Sequence, residues 1–466
     1  MCTHTRTFCG KIVAVVVLLL SGASKSTMAG SDKIIRDPIH GFVKLSPWEQ
    51  AIVDDPVFQR LRRIRQLALT DMVYPGACHT RFEHSLGVMQ VATMMFEQLR
   101  PQLEASDDIE PPFTKDDLDK ARIIVRLAAL LHDVGHCPFS HAGEGGVMPR
   151  NPATGKKYKH EDYSTALIRH LLRDVVDNHP ENRLKVSVEE ICSFLQDDGR
   201  LPLRLLFWRP LITGQMDADR ADYLLRDSHH AGVAYGQYDI HRLIATLRVV
   251  RDRDTGGLMI GIERGGIQAV EGLILARYMM FVQVYFHHTR RAYDHHVTQV
   301  LGYLLGQEYG DKYGERGRFP PPRDAGDQTA RQNLEEYLRW TDPRVWQAID
   351  NDEAGPDGRK IKERKHDRSV RETPLFPLAR EMAEFYEEVV PRLSPLGGHV
   401  DKAGSSWYKF EKTADIRVAV SDRGIDPAPV LLSARSSLVR ALEEVTQWRV
   451  YVPWDRKEKA NEVLGL

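Results

Sequence analysis

From residue 50 to residue 305 apolar residues recur three or four positions apart, the spacing of one helix face. The stretch 81–99 shows this plainly: Leu86, Met89, Val91, Met94, Met95 and Leu99 fall near helical spacing and predict a long amphipathic helix. A second helix is expected over 215–236, and the longest over 273–305, with Met279, Met280 and Phe281 in the core. Residues 249–263 read instead as a hairpin turning at Gly256-Gly257. The Gly-, Pro- and Arg-rich segment 311–329 and the polar segment 352–372 read as loops. Beyond residue 375 come another helix, a Pro/Gly turn and short strands at 416–420 and 448–452 around a helix at 436–446. The pattern predicts a mainly α fold with a smaller C-terminal α+β region. It contains no internal repeat and no Gly-rich phosphate loop.

Chemistry concentrates in residues 130–141, LLHDVGHCPFSH. An apolar helical run ends there in His132-Asp133, and His136 and His141 lie beyond a break at Gly135 and Pro138. Neighbouring side chains on a helix diverge by about 100°. His132 and Asp133 therefore reach one ion only if it lies off the helix end and other segments close its shell. Imidazole nitrogen with carboxylate oxygen suits Mn, Fe, Zn or Ni and, less selectively, Mg. His84, in the first turn of the 81–99 helix, is a candidate third ligand. The 215–236 helix offers Asp217, Asp219, Asp222 and Asp227, and spacing alone does not choose among them.

These segments bring in a resemblance. RDPIHGFVKLSP (36–47), FQRLRRIRQLALTDMVYPGACHTRFEHSLGV (58–88), the 130–141 run and DADRADYLLRDSHHAG (217–232) occur in that order, and RRAYDHH (290–296) matches more weakly. Together they resemble the HD-domain phosphohydrolases, and within them the deoxynucleoside triphosphate triphosphohydrolases, whose vertebrate members add a sterile alpha motif. The likeness runs from residue 34 to about residue 300. It implies a helical HD domain over 30–310; beyond it the pattern reads as polar loops and a linker helix over 311–374 and the α+β region over 375–466. The resemblance implies metal ligands His84, His132, Asp133 and Asp219, and catalytic residues His136, His141 and His160; Glu144, three residues after His141, is a further catalytic candidate able to orient that ring. Substrate contacts are implied at Gln66, Leu67, Arg81, Arg220, Tyr223, Asp227 and Tyr293. The implied activity is metal-dependent cleavage of a deoxynucleoside triphosphate to nucleoside and triphosphate. The nearest alternatives are phosphate removal from a nucleoside monophosphate, opening of a cyclic nucleotide, or a nucleotide-sensing or nucleic-acid-binding module. The resemblance also implies a homo-oligomer of two or four subunits. A GTP or dNTP effector would be held by Asp54, Gln59 and Arg62, the alternative being a plain helix with Phe58, Leu61 and Ile64 buried. The chain departs from the vertebrate pattern at Thr289 and Asp294, where a histidine and an amide are expected, and at Arg220, usually lysine.

Composition adjusts this picture little. At 466 residues, 42% hydrophobic and 28% charged, the chain can bury a large core. A formal net charge of −1 argues against a globally cationic nucleic-acid binder. Its five cysteines form no C-x-x-C pair, which fits a reducing compartment. Residues 12–20, IVAVVVLLL, instead resemble a short secretory leader, too short for a comfortable membrane span of about 20 residues. A nucleotide hydrolase meets its substrate in the cytoplasm, so the expectation is a cytoplasmic protein whose translation starts at Met28 or whose leader is vestigial, with 1–29 a leader-like segment outside the fold.

Overall fold

The computed structural model describes residues 32–322, 327–411, 414–421 and 424–466. The leader-like segment and Met28 lie outside them. The described chain opens with an antiparallel hairpin, β1 (Lys33–Asp37) and β2 (Gly41–Leu45). Its turn is organised by Asp37, whose carboxylate accepts from the backbone N–H groups of Ile39 and His40 at 2.9 and 2.8 Å.

The helical core is built around α1 (Arg81–Glu104), whose first turn is fixed by Glu83 accepting from the Thr80 N–H at 2.8 Å. The sequence reads α1 as amphipathic, with one apolar face. In the fold it is buried on nearly every side, including Ser85, Gly87 and Ala92. The small residues are the reason. A Cβ on Gly87 would stand 1.9 Å from the Asp222 carboxylate, so glycine there lets a neighbouring helix close in. Against α1 pack α2 (Lys115–Leu131), which ends where His132 begins, and α5 (Ala218–Ala231); between them in the chain come α3 (His141–Val147) and α4 (His160–His170). Asp217 caps α5 by accepting from the Arg220 N–H at 2.8 Å, and left-handed Gly232 (φ +70°) ends it.

The expected hairpin is present as β3 (Leu247–Arg251) and β4 (Leu258–Ile262), with Gly256 left-handed in the turn. The single long helix expected over 273–305 is two: α6 (Ile267–Met280) and α7 (His288–Tyr309), joined through a π-turn at Phe281–Tyr285. His287 is extended and its Nδ1 accepts from the Thr289 N–H at 3.3 Å, starting a new helix with neither Pro nor Gly at the break. The run Arg264–Tyr285 is long and apolar enough to cross a membrane, but Val270, Leu273 and Met280 are buried in the protein core.

Residues 311–322 form turns as expected. The described chain then resumes in α8 (Asp327–Leu338) and continues in α9 (Asp342–Asp350). Segment 352–372, expected to be a loop, instead folds into α10 (Gly355–Lys362) and β5 (Arg368–Glu372). Its polar sequence conceals this because α10 buries only Gly358 and Ile361, while β5 gains its order from a distant partner. That partner is β9 (Val445–Val452), flanked on its other edge by β6 (His399–Ser405) in an antiparallel sheet. The strands β7 (Arg417–Val418) and β8 (Val430–Leu431) extend the β3-β4 hairpin instead, so the C-terminal region is divided between two sheets. The sequence places the end of the last helix at 446, whereas helix occupies only Ser437–Ala441 and Val445 already belongs to β9.

Candidate metal centre and active site

Three buried elements converge below one wall of a cavity of about 980 Å³. From α1 comes His84, fully buried, with Nε2 3.1 Å from Asp219 Oδ1 and 3.5 Å from Asp133 Oδ2. From the end of α2 comes His132, with Nε2 3.3 Å from Asp133 Oδ1 and 3.8 Å from Asp219 Oδ1. Its other ring nitrogen lies 2.7 Å from the Ala129 carbonyl, which fixes that nitrogen as the proton donor and leaves Nε2 with a lone pair. From α5 comes Asp219, turned partly to the cavity. His84 Nε2 and His132 Nε2 are both buried with no hydrogen-bond partner. Burial works against a charged His84 ring, yet Asp219, Asp222 and Asp133 outweigh it and raise its pKa to about 10. The pocket therefore calls for positive charge. Two orphaned imidazole nitrogens beside two carboxylates are a donor set that fits a divalent cation.

The four aspartates of α5, which spacing could not separate, take four different positions. Asp217 is the cap and Asp219 faces the histidines. Asp222, fully buried, lies 2.7 Å from His84 Nδ1 and 2.6 Å from His40 Nε2, and accepts from Arg226 at 2.8 and 2.9 Å. Arg226 in turn donates to Asp37 at 2.9 Å, which ties the β1-β2 turn to the metal helix. Asp227 lies 2.8 Å from His79 Nε2 and accepts from the Tyr285 hydroxyl at 2.6 Å. Asp222 and His40 are the orienting residues that the sequence did not single out. The Asp222/Arg226 spacing of four is a signal only once Asp222 is known to be buried.

Next to this centre, Glu144 on α3 gathers three histidines. Its Oε1 is 2.8 Å from His160 Nδ1, 3.3 Å from His136 Nδ1 and 3.3 Å from His141 Nδ1. His136 and His160 stack with ring centroids 3.8 Å apart, and their charges are pushed opposite ways. Burial, Arg81 and His160 push His136 down to about 3, so its ring is neutral. Burial also opposes charge on His160, but Glu144 outweighs it and raises that ring to about 9. One imidazole is thus a proton donor and its neighbour a proton acceptor at neutral pH. His136 Nε2 lies 3.3 Å and His160 Nε2 3.8 Å from Asp133 Oδ1, so the two clusters share an edge.

The cavity is also lined by Gln66, Leu67, Arg81, Tyr223 and Asp227. Gln66 Oε1 is buried without a partner. Arg81 donates to Asp133 at 2.5 Å and to the Ser140 hydroxyl at 2.9 Å, so it positions a metal ligand as well as facing the cavity. Two expected contacts are elsewhere. Arg220 pairs with Asp217 at 2.5 Å and lines an adjoining cavity, because the residue after Asp219 must point about 100° away on the helix. Tyr293 is fully buried and tilted over His366 at 4.7 Å, outside the cavity lining. Lys159 and Arg290, not singled out from sequence, do line it.

An HD-domain family model matches residues 81–227, and an HD-associated-region model matches 238–311. The chain thus carries an HD domain followed by an HD-associated region. It is 37% identical to an uncharacterized protein of Methanocaldococcus jannaschii over 58% of this chain and 49% of that one. It is 30% identical to the deoxynucleoside triphosphate triphosphohydrolase SAMHD1 of Homo sapiens over 66% of this chain and 49% of that enzyme. The chain thus spans about half the length of these curated relatives. A crystal structure of a hypothetical Aquifex aeolicus protein superposes with a TM-score of 0.71 at 27% identity, covering 93% of this chain and all of that one.

Proposed function

We propose that this HD-domain protein hydrolyses deoxynucleoside triphosphates to deoxynucleoside and inorganic triphosphate. The observation that carries the reading is the convergence of His84 Nε2, His132 Nε2, Asp133 and Asp219, next to the Glu144 histidine cluster, along a nucleotide-sized cavity that His132, Asp133, Asp219, His141 and His160 line. A divalent ion held by those four residues, when bound, lowers the pKa of water and withdraws charge from phosphorus. Protonated His160, which lines the cavity, is the group placed to give a proton to a departing 5′-oxygen, while neutral His136 lies buried behind it, stacked on its ring. Arg81, Lys159 and Arg290 line the cavity as cations for phosphate oxygens, whereas Arg220 is paired with Asp217. Tyr223 keeps its hydroxyl proton, burial pushing its pKa up to about 12. Its ring offers a wall against a sugar, and the unpartnered Gln66 oxygen an acceptor for a sugar hydroxyl. The likeness to SAMHD1 supports the triphosphate substrate.

The test is incubation with each dNTP and NTP plus Mn or Mg, with the products then separated. Triphosphate and nucleoside support the reading. Phosphate released only from monophosphates, or opening of cyclic nucleotides only, would replace it with another activity of the same site.

The same proposal includes a nucleotide effector at Asp54, Gln59 and Arg62, bridging subunits of a homo-oligomer. It is supported by exposure of Asp54 and Arg62 and by Arg62 lying over the Phe82 ring, 3.5 Å from its centroid, which holds that guanidinium at the surface. Sedimentation and rates with and without GTP test it. An active monomer indifferent to every nucleotide would remove it.

A further inference from the structure

A second set of ligand-type side chains lies at the rim of the same cavity and shares no residue with the centre above. His295 comes from α7, Asp367 from the turn before β5, and His399 from β6. One ligand atom from each lies within 4.8 Å of the other two. Asp367 is buried, and its Oδ1 is taken by Lys360 Nζ at 2.9 Å. Its Oδ2 is left facing His399 Nδ1 at 3.6 Å. That gap is too long for a hydrogen bond. It is the separation left by two donors each about 2 Å from a shared ion. His399 Nε2 is buried without a hydrogen-bond partner, so no hydrogen bond there locks the ring. His295 stacks on His399 with centroids 3.9 Å apart and an interplanar angle of 16°. Rotation of one ring about its Cβ–Cγ bond leaves the stack and turns its nitrogen toward Asp367.

We propose that His295, Asp367 and His399 form a second divalent-metal site, distinct from the catalytic centre, that takes a borderline ion such as Zn²⁺. Two imidazoles and one carboxylate are a three-residue zinc donor set that leaves a position open. That position faces the cavity, which His295 and His399 both line. The Glu144 cluster is the other histidine-rich candidate for an extra ion, but there the carboxylate already lies within 3.3 Å of all three rings. At the rim an ion would clamp β6 and the β5 turn onto α7, fixing the C-terminal sheet against the helix that carries Arg290 and Asp294.

The test is equilibrium dialysis of the full chain against Zn²⁺, with metal analysis, on wild type, His295→Gln, His399→Ala and His160→Ala. All variants are first checked for native circular dichroism. Bound zinc is expected to fall by about one equivalent in His295→Gln and in His399→Ala and to stay at the wild-type value in His160→Ala. The Zn²⁺-dependent rise in Tm should shrink in the same two variants and persist in Asp133→Ala. Unchanged stoichiometry in both rim variants, or a loss confined to His160→Ala, overturns the site. If His399→Ala fails to fold, His295→Gln decides alone.

Discussion

At the residue scale, the site depends on charges held in fixed states by their neighbours. Asp133 is buried, which alone would raise its pKa, but His132, Arg81 and His136 hold it well below the usual carboxylate range. Replacing Asp133 by Ala removes one ligand and the partner of buried Arg81. We expect turnover to fall at least about a thousandfold, by analogy with other groups that act as a unit, and metal content to drop with it. Near-normal activity and metal content in Asp133→Ala would show that the site is elsewhere. The His160–Glu144 pair gives a signed pH effect. His160 is raised from 6.5 to about 9, so its proton is held below pH 9 and lost above. The same shift stabilises the fold fully below pH 6.5 and ceases to do so as pH rises through 9. In Glu144→Gln the largest opposing charge is gone and burial works against only the weaker pull of Glu161 and Asp133, so the alkaline limb of the kcat profile should move down by about one pH unit or more. An unmoved limb would mean that another group supplies the proton.

At the scale of elements, the centre requires backbones to approach closely. Gly135 lies in the turn after α2, against the first turn of α4. A Cβ there would meet Ser164 N at 2.2 Å, His160 O at 2.4 Å and Tyr163 C at 2.7 Å, all backbone atoms. Gly135→Ala must push α4 away and carry His160 with it. We expect a loss of about 1–3 kcal/mol by urea unfolding, as for other overpacked interiors. Activity should fall several-fold further than stability explains, with metal content retained because no ligand moves. A fully active, equally stable Gly135→Ala protein would contradict the proximity of these two elements.

The sequence shows such elements unevenly, for physical reasons. The His132-Asp133 run and the α1 and α5 helices are local features, written in adjacent residues and a helical period. Which aspartate faces the metal depends on what packs against each side of α5, and spacing along one helix holds no such information. The α6–α7 break is equally silent, because its π-turn and His287 cap use residues that also suit a continuous helix. Arg220 shows the limit of transferring a role by motif: its side chain points from its own helix face into another cavity. β5 and β9 pair across more than seventy residues, so neither strand announces the other.

On the scale of the whole molecule, the catalytic turn is held by a segment about two hundred residues downstream. Tyr337 donates its hydroxyl to the Gly135 carbonyl at 2.7 Å. Arg60 donates to the Trp340 carbonyl at 2.8 Å and to the His136 carbonyl at 2.7 Å. Asp342, 3% exposed, accepts from the Phe139 N–H at 2.8 Å and the Arg65 N–H at 2.9 Å. Phe139 and Ser140 are both left-handed, at φ 59° and 52°, a conformation non-glycine residues keep only when the surroundings impose it. The 337–342 segment supplies part of that restraint, so the HD core and the α8–α9 region form one structural unit. Asp342→Ala leaves two buried N–H groups unpaired at about 1–3 kcal/mol each. We therefore expect it to lose about 2–5 kcal/mol by urea unfolding. Asp342→Asn, which keeps one accepting oxygen, should lose about half as much. Activity under conditions where each variant remains folded should fall in the same order, because the freed turn carries both His136 and His141. If Asp342→Ala matches wild type in stability and rate, the downstream segment is an appendage and the HD core carries the site alone.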